Sequence, residues 1–197
     1  MSDEPIVYPG PAEAPVTSTT GQIWEIQRAD LIRDWYALSA LRLAAERRLR
    51  SMGIQQWTDT ARGLDEMAFF TEREDMYLIR EGATAIGCFA LSSWVDQDIW
   101  SDSDRDECLY LNKVMVAPWM AGTGVGRFIV DHAIIQARER KCIALRLYSR
   151  YENTPLYDHW QKLGFTHIST IRAPNGHGGA LMEIRFTEPE TNGDEDD

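Results

Sequence analysis

Leu109-Tyr110-Leu111-Asn112-Lys113-Val114-Met115-Val116 runs through Ala117-Pro118 into the turn Ala121-Gly122-Thr123-Gly124-Val125-Gly126, and then into Arg127-Phe128-Ile129-Val130. The first eight residues read as a buried strand. Beyond the turn, Val125, Phe128, Ile129 and Ala133 recur at helical spacing, so one face of a helix should pack on a sheet. Arg138, Arg140 and Lys141 close that helix and suit the negative end of its dipole. Strand, glycine turn and helix together make an anion cradle. Glycines let backbone approach a phosphate closely, and the first unpaired N–H groups of the helix point at it.

Composition sets the bounds. The 197 residues suffice for one sizeable domain with tails, and 44% hydrophobic content is ordinary for a globular chain. No run is long and apolar enough to span a bilayer, and the N-terminus is acidic, unlike a secretory signal. Cys88, Cys108 and Cys142 sit in apolar runs without metal spacing, which suggests reduced core thiols and a cytoplasmic setting. The four histidines show no ligand spacing, so no metal is expected. A net charge of −11 repels phosphodiester backbones, so nucleic acid is excluded as a partner and a cationic amine fits better.

Outward from the central stretch, the elements follow in order. Residues 1–20 are rich in Pro, Ser and Thr and should be disordered, as should the acidic tail 188–197; 21–187 form a single domain. Ile23 to Gln27 can form a strand, and Asp30 can cap a helix with the stripe Leu31, Trp35, Leu38, Ala45, Leu49 and Met52, ending at Gly53. A connector, Gly53-Ile54-Gln55-Gln56-Trp57, leads to a shorter helix capped by Thr58 or Asp59, whose start Gly63 weakens. Met76 to Arg80 and Ala83 to Ser92 make a hairpin around Glu81-Gly82. An acidic segment from Trp94 to Glu107 precedes the central strand. Cys142 to Tyr148 should be its parallel neighbour, Thr154-Pro155 opens a last helix, and Phe165–Ile171 and Ala180–Phe186 are two final strands.

The glycine turn is neither of two common nucleotide loops. A P-loop ends in Gly-Lys-Ser/Thr, whereas Arg127 and Phe128 follow Gly126; a dinucleotide fingerprint needs a third glycine where Arg127 stands. The run from Val116 to Gly126 instead resembles the V-x-P-x-x-R-G-x-G-x-G signature of the GNAT N-acetyltransferase superfamily, with Ala121 in the usual Arg or Gln place. Asn153 followed by Trp160-Gln161-Lys162-Leu163-Gly164-Phe165 resembles that family's N…Y-x-x-x-G-F, with Trp160 in place of Tyr.

The resemblance implies a GNAT-like α/β (α+β) fold: a mixed, mostly antiparallel sheet with a splayed parallel central pair and helices on both faces. It also implies acetyl transfer from acetyl-CoA to a primary amine, on a small cationic molecule, by a monomer or homodimer. Val114 would polarise the acetyl carbonyl, Met115 and Val116 would border the pantetheine arm, and Ala121, Gly122, Thr123, Gly124, Val125, Gly126 and Arg127 would hold the pyrophosphate, with Asn153 and Trp160 beside the coenzyme. Alignment makes Tyr110 a candidate base, with packing in the cleft as its alternative and Glu107 or Asp106 as other bases. Tyr157, one helical turn from Trp160, is the candidate acid. A group of bacterial GNAT proteins carries similar G-I-x-Q-W and acidic, aromatic loops. Here Trp57, Asp98 and Trp100 would then form an ammonium box, or the rings would simply cover the sheet's open end. A non-catalytic acyl-CoA sensor and a protein lysine or N-terminal acetyltransferase are the other readings.

Overall fold

The computed structural model describes residues 16–17, 23–54, 56–57, 59–73, 75–94, 96–150, 153–172 and 178–186. Its strands are β1 (Val16–Thr17), β2 (Ile23–Arg28), β3 (Met76–Glu81), β4 (Thr84–Ser92), β5 (Cys108–Val116), β6 (Ala144–Arg150), β7 (Thr166–Arg172) and β8 (Gly178–Arg185). The helices are α1 (Trp35–Ser51), α2 (Thr60–Glu72), α3 (Val125–Glu139) and α4 (Thr154–Lys162). The expected element order is present, with β1 added by Val16–Thr17 pairing to Ile23 and Trp24 inside the segment expected to be disordered. Residues 1–15, 18–20 and the tail 188–197, together with Gln55, Thr58 and the run 173–177, lie outside the described residues.

One mixed sheet has the order β1-β2-β3-β4-β5-β6-β8-β7, and its single parallel pair among the described residues is β5–β6. The pleat of β4 sends alternate side chains to opposite faces. Gly87 meets Val125 of α3 and Phe89 meets His132 of α3, while Cys88 on the opposite face lies within the influence of Arg42 of α1. Helices therefore cover both faces, and the core they enclose includes Leu38, Met67, Leu78, Phe89, Ile129 and Leu145.

Helix α1 starts at Trp35, one turn later than the Asp30 cap suggests. Asp30 Oδ1 does accept the N–H groups of Ile32 and Arg33, at 3.0 and 2.7 Å, but it caps only a turn. Asp34 is the N-cap residue, but its fully buried carboxylate makes no capping bond to the helix and accepts instead from Asp30 N–H at 2.9 Å, Arg33 at 2.7 Å and Arg80 at 2.9 Å. Burial would raise its pKa, but these hydrogen bonds outweigh that and hold it at about 2. At the other end Gly53 adopts φ 74°, and Ile54 N–H returns to Leu49 C=O at 2.9 Å, which closes the helix.

Replacing Asp34 by Ala leaves Arg80 half-stranded against the sheet and should cost about 3–5 kcal/mol, read as a lowered denaturation midpoint. Because the folded pKa is depressed, this contribution is complete above about pH 4, where the unfolded carboxylate ionises. It fades as pH falls toward about 2. The difference between native protein and Asp34→Ala should therefore shrink between those pH values.

Candidate active site

Strands β5 and β6 share three registered pairs, Cys108↔Ala144, Leu109↔Leu145 and Tyr110↔Arg146, and then part. Each keeps its outer neighbour. Strand β5 stays paired to β4 as far as Val116↔Gly87, and β6 stays paired to β8 as far as Arg150↔Gly179. The inner edges of both strands are thereby released, and a released backbone N–H or C=O needs a partner.

A β-bulge marks the parting. Between Asn112↔Ala90 and Met115↔Cys88, β5 spends two residues, Lys113 and Val114, against Phe89 alone. Lys113 sits at φ 51°, the left-handed region that a side chain disfavours. Its ammonium is held by the Glu66 carboxylate and lies 5.9 Å from the Phe70 ring centre, both on α2.

The opening runs through the molecule as three adjoining cavities. A groove of about 510 Å³ is bordered by Val114–Val116, the glycine turn, the end of α1 and the start of α4. An inner chamber of about 430 Å³ shares Gln56, Trp57, Val114, Leu156 and Trp160 with the groove. An outer chamber of about 600 Å³ shares Arg62, Glu66, Asn112, Lys113 and Tyr148, among others, with the inner one. Val114, just past the bulge, stands where groove and inner chamber meet.

At the groove's end, Gly122 and Gly124 have φ of 79° and 100°, and Gly124 caps α3. Open space surrounds the Cβ position of both, so backbone conformation, not crowding, calls for glycine there. The N–H groups of Ala121 and Thr123 are spent within the turn, on Pro118 and Met120 C=O at 3.3 Å each. Thr123 Oγ1 also donates to Met120, so Thr123 shapes the turn while its neighbours border the groove. The amides of Gly122, Gly124, Val125, Gly126 and Arg127 have no backbone acceptor among the described residues. Unspent amides at a helix N-terminus have the charge and direction that suit an anion. Gly126 packs directly on His159, whose Nε2 would lie 2.9 Å from an added Cβ. Burial lowers the His159 pKa, with Lys162 adding to the effect, so the imidazole is neutral near pH 7.

These features coincide with those of known proteins. The sequence model of the acetyltransferase (GNAT) family matches residues 30–165. The chain belongs to that family. It is an acyltransferase by that membership. A curated relative, the "Uncharacterized N-acetyltransferase YesJ" of Bacillus subtilis (strain 168), is 22% identical over 145 residues, covering 71% of this chain and 78% of the relative. A GNAT-family acetyltransferase crystal structure from Listeria monocytogenes 4b F2365 shares the fold with a TM-score of 0.72 and 20% identity, covering 88% of this chain and all of the other. The yncA putative acetyltransferase of Salmonella typhimurium, solved with acetyl-CoA, gives a TM-score of 0.59 at 18% identity, covering 85% and 96%.

Within this GNAT domain, the candidate residues fall in different places. Asn153 is buried, caps α4 by accepting from Leu156 N–H at 3.4 Å, and donates to Gln56 at 2.9 Å, tying α4 to the connector that edges the groove. Trp160 is buried at the boundary of groove and inner chamber, edge-on to Phe165. Trp57 borders both cavities too, with the Arg42 guanidinium 4.6 Å from its ring centre. Trp100 borders the outer chamber but carries Arg146 at 4.7 Å, so each ring already holds a cation of the protein itself. Asp98 is exposed and borders none of the three cavities.

None of the three catalytic candidates borders the groove or the inner chamber. Tyr110 borders the outer chamber, but it is 1% exposed and its hydroxyl donates to Arg105 C=O at 2.8 Å. Burial pushes its pKa to about 12, so it packs the zipped end of the strands and is no base at neutral pH. Glu107 lies seven residues before Val114, beyond the paired end, about 20 Å away along the strand. Tyr157 projects from α4 off the Leu156–His159–Trp160 face and packs on His167, with ring centres 6.1 Å apart. Glu66 on α2, which sequence patterning did not single out, borders both chambers. Burial would raise its pKa, yet Lys113 and Arg62 hold it below the usual carboxylate value, so it is ionised at neutral pH. Its only sequence signal was its spacing four residues after Arg62 on an amphipathic helix.

Tyr110→Phe should keep turnover within about threefold of native and lose about 1 kcal/mol of stability, the worth of one hydrogen bond. A hundredfold fall in kcat with an unchanged melting temperature would restore a catalytic role.

Proposed function

We propose that the protein transfers the acetyl group of acetyl-CoA to the primary amine of a small molecule that arrives as an ammonium ion. The observation that carries this reading is the continuity of the cavities. The anion cradle, the released edge of β5 at Val114 and the inner chamber lie along one open path between the parted strands. The acetyl-CoA in the Salmonella typhimurium neighbour supports the same use of the groove.

The pyrophosphate would lie on the amides of Gly122 and Gly124–Arg127, with the pantetheine arm along Val114–Val116 and the acetyl carbonyl polarised at Val114. Ala121 offers no cation, but Arg48 in the last turn of α1 borders the groove from the opposite wall. Once the ammonium has lost its first proton, nitrogen attacks the carbonyl carbon and a C–N bond forms; the C–S bond breaks, the thiolate leaves, and the nitrogen gives its second proton to water to become the neutral amide. The Glu66 carboxylate, already paired with Lys113 and Arg62, can take up the ammonium's proton through water, although its lowered pKa makes it a weak base. Trp160 has no O–H to give the departing sulfur. Thiols have pKa near ~8.5, so the thiolate leaves without a dedicated acid. The three cysteines carry no disulfide, and cytoplasm is the proposed location.

The acceptor chambers, about 430 and 600 Å³, are of a size for a small molecule, and the outer one is lined by Trp100 and Tyr110. Gly124→Val should abolish measurable coenzyme A binding in calorimetry, since φ of 100° excludes a β-branched side chain. Native-like affinity in that variant would reject the cradle. Steady release of free coenzyme A with a panel of amines tests transfer itself, and hydrolysis without amine dependence would favour a sensor.

A further inference from the structure

One buried cation is left over from this account. Arg42 on α1 is 1% exposed and borders the inner chamber. Its Nε donates to Glu46 Oε1 at 2.6 Å, and the other oxygen of Glu46 accepts from Thr60 at 2.7 Å, so both oxygens of that carboxylate are in use. The guanidinium lies under the Trp57 ring, and its Nη1 is buried with no hydrogen-bond partner among the described residues. A buried, unpartnered guanidinium N–H is costly unless something completes it.

The surroundings are built for this side chain. Gly63 interrupts the first turns of α2, at a cost of about 1 kcal/mol relative to Ala. An added Cβ there would sit 2.1 Å from Arg42 Nη2, so the glycine makes room for the guanidinium. Four basic residues, Arg42, Arg62, Lys113 and Arg150, border the inner chamber against two acidic ones, Asp59 and Glu66. Asp59 is already occupied in capping α2, and Glu66 in binding Lys113 and Arg62. In a chain of net charge −11, the chamber beside the proposed acetyl site is locally basic.

We infer that the acceptor carries a carboxylate close to its amine, as an amino acid does, and that Arg42 binds this carboxylate through Nη1 once the Trp57 ring slides aside. This rests on the acetyl-transfer reading for the position of the amine, near Val114. Guanidinium N–H groups match a carboxylate in charge and geometry, and the bond made is of the stronger, charge-assisted kind. The carboxylate anchors the molecule against α1 and turns its amine toward the parted strands. The remainder extends into the outer chamber, between Phe69, Trp94 and Trp100.

The test is calorimetric titration of the full-length protein, saturated with coenzyme A, using matched sets: an amino acid, its amide and its decarboxylated amine. The carboxylated member of at least one set should bind roughly 10- to 100-fold more tightly than its partners, the worth of a hydrogen bond to a charged group. Arg42→Gln should remove that preference while coenzyme affinity stays native. If Arg42→Gln fails to melt cooperatively, Gly63→Ala decides, because it keeps every charge and displaces only the guanidinium. Equal binding within every set, no binding by any carboxylated member, or a preference that survives the deciding variant would overturn the inference. Carboxylate-selective binding that Arg42→Gln abolishes, without acetylation, would instead sink the transfer reading and leave only the Arg42–carboxylate contact standing.

Discussion

The structure depends on a parallel strand pair that is allowed to form over only three residues. Backbone pairing is the cheapest way for buried N–H and C=O groups to be satisfied, and breaking it inside a sheet is costly unless another partner arrives. Here β5 and β6 separate after Tyr110 and Arg146 while each keeps its outer neighbour, so the opening stays narrow. The fold holds a set of unspent amides beside a helix N-terminus. An extended, amide-bearing ligand with a diphosphate at one end matches that arrangement.

Two devices keep the pair from closing or opening further. At the zipped end, Arg146 is 3% exposed, spans Asp102 and Glu183 and stacks on Trp100, with Tyr110 against the same indole at 5.6 Å. Burial opposes its charge, but those carboxylates more than compensate and raise its pKa. At the open end, the bulge at Lys113 adds a residue to one strand only, which increases local twist and turns Val114 away from straight pairing. Left-handed backbone at a lysine costs of order 1–3 kcal/mol and persists where its surroundings over-determine it. Glu66 and Phe70 supply that restraint from α2.

The strand, glycine turn and helix were legible in sequence because each carries a local signal: apolar content, positive-φ glycines and helical spacing. So was the parallel neighbour, whereas Thr154, expected to cap the last helix, is its first residue and Asn153 caps it. What periodicity does not encode is which long-range partner a side chain meets. Tyr110 lies on the expected strand, but only the fold reveals that Arg105 takes its hydroxyl and burial raises its pKa. Tyr157 is one turn from Trp160 in sequence, yet about 100° per residue of helical rotation points it to His167. The acidic segment looked like an acceptor lure. Asp102 and Asp104 instead bind Arg146 and Arg185, so part of its charge locks the strand apex.

Gly63 shows how a local cost carries information that only the tertiary structure explains. Read alone, it is a poor helix residue in the first turn of α2. Placed against Arg42, it is the absence of a side chain that lets a guanidinium lie beneath Trp57, held by a glutamate whose second oxygen is bound to Thr60. Net charge averaged over the chain conceals this, since only two of its acidic residues, Asp59 and Glu66, line the chamber. The chamber's own balance follows from which charges are already paired. Selectivity in such a site is set by the unspent donor, whatever the sign of the whole protein.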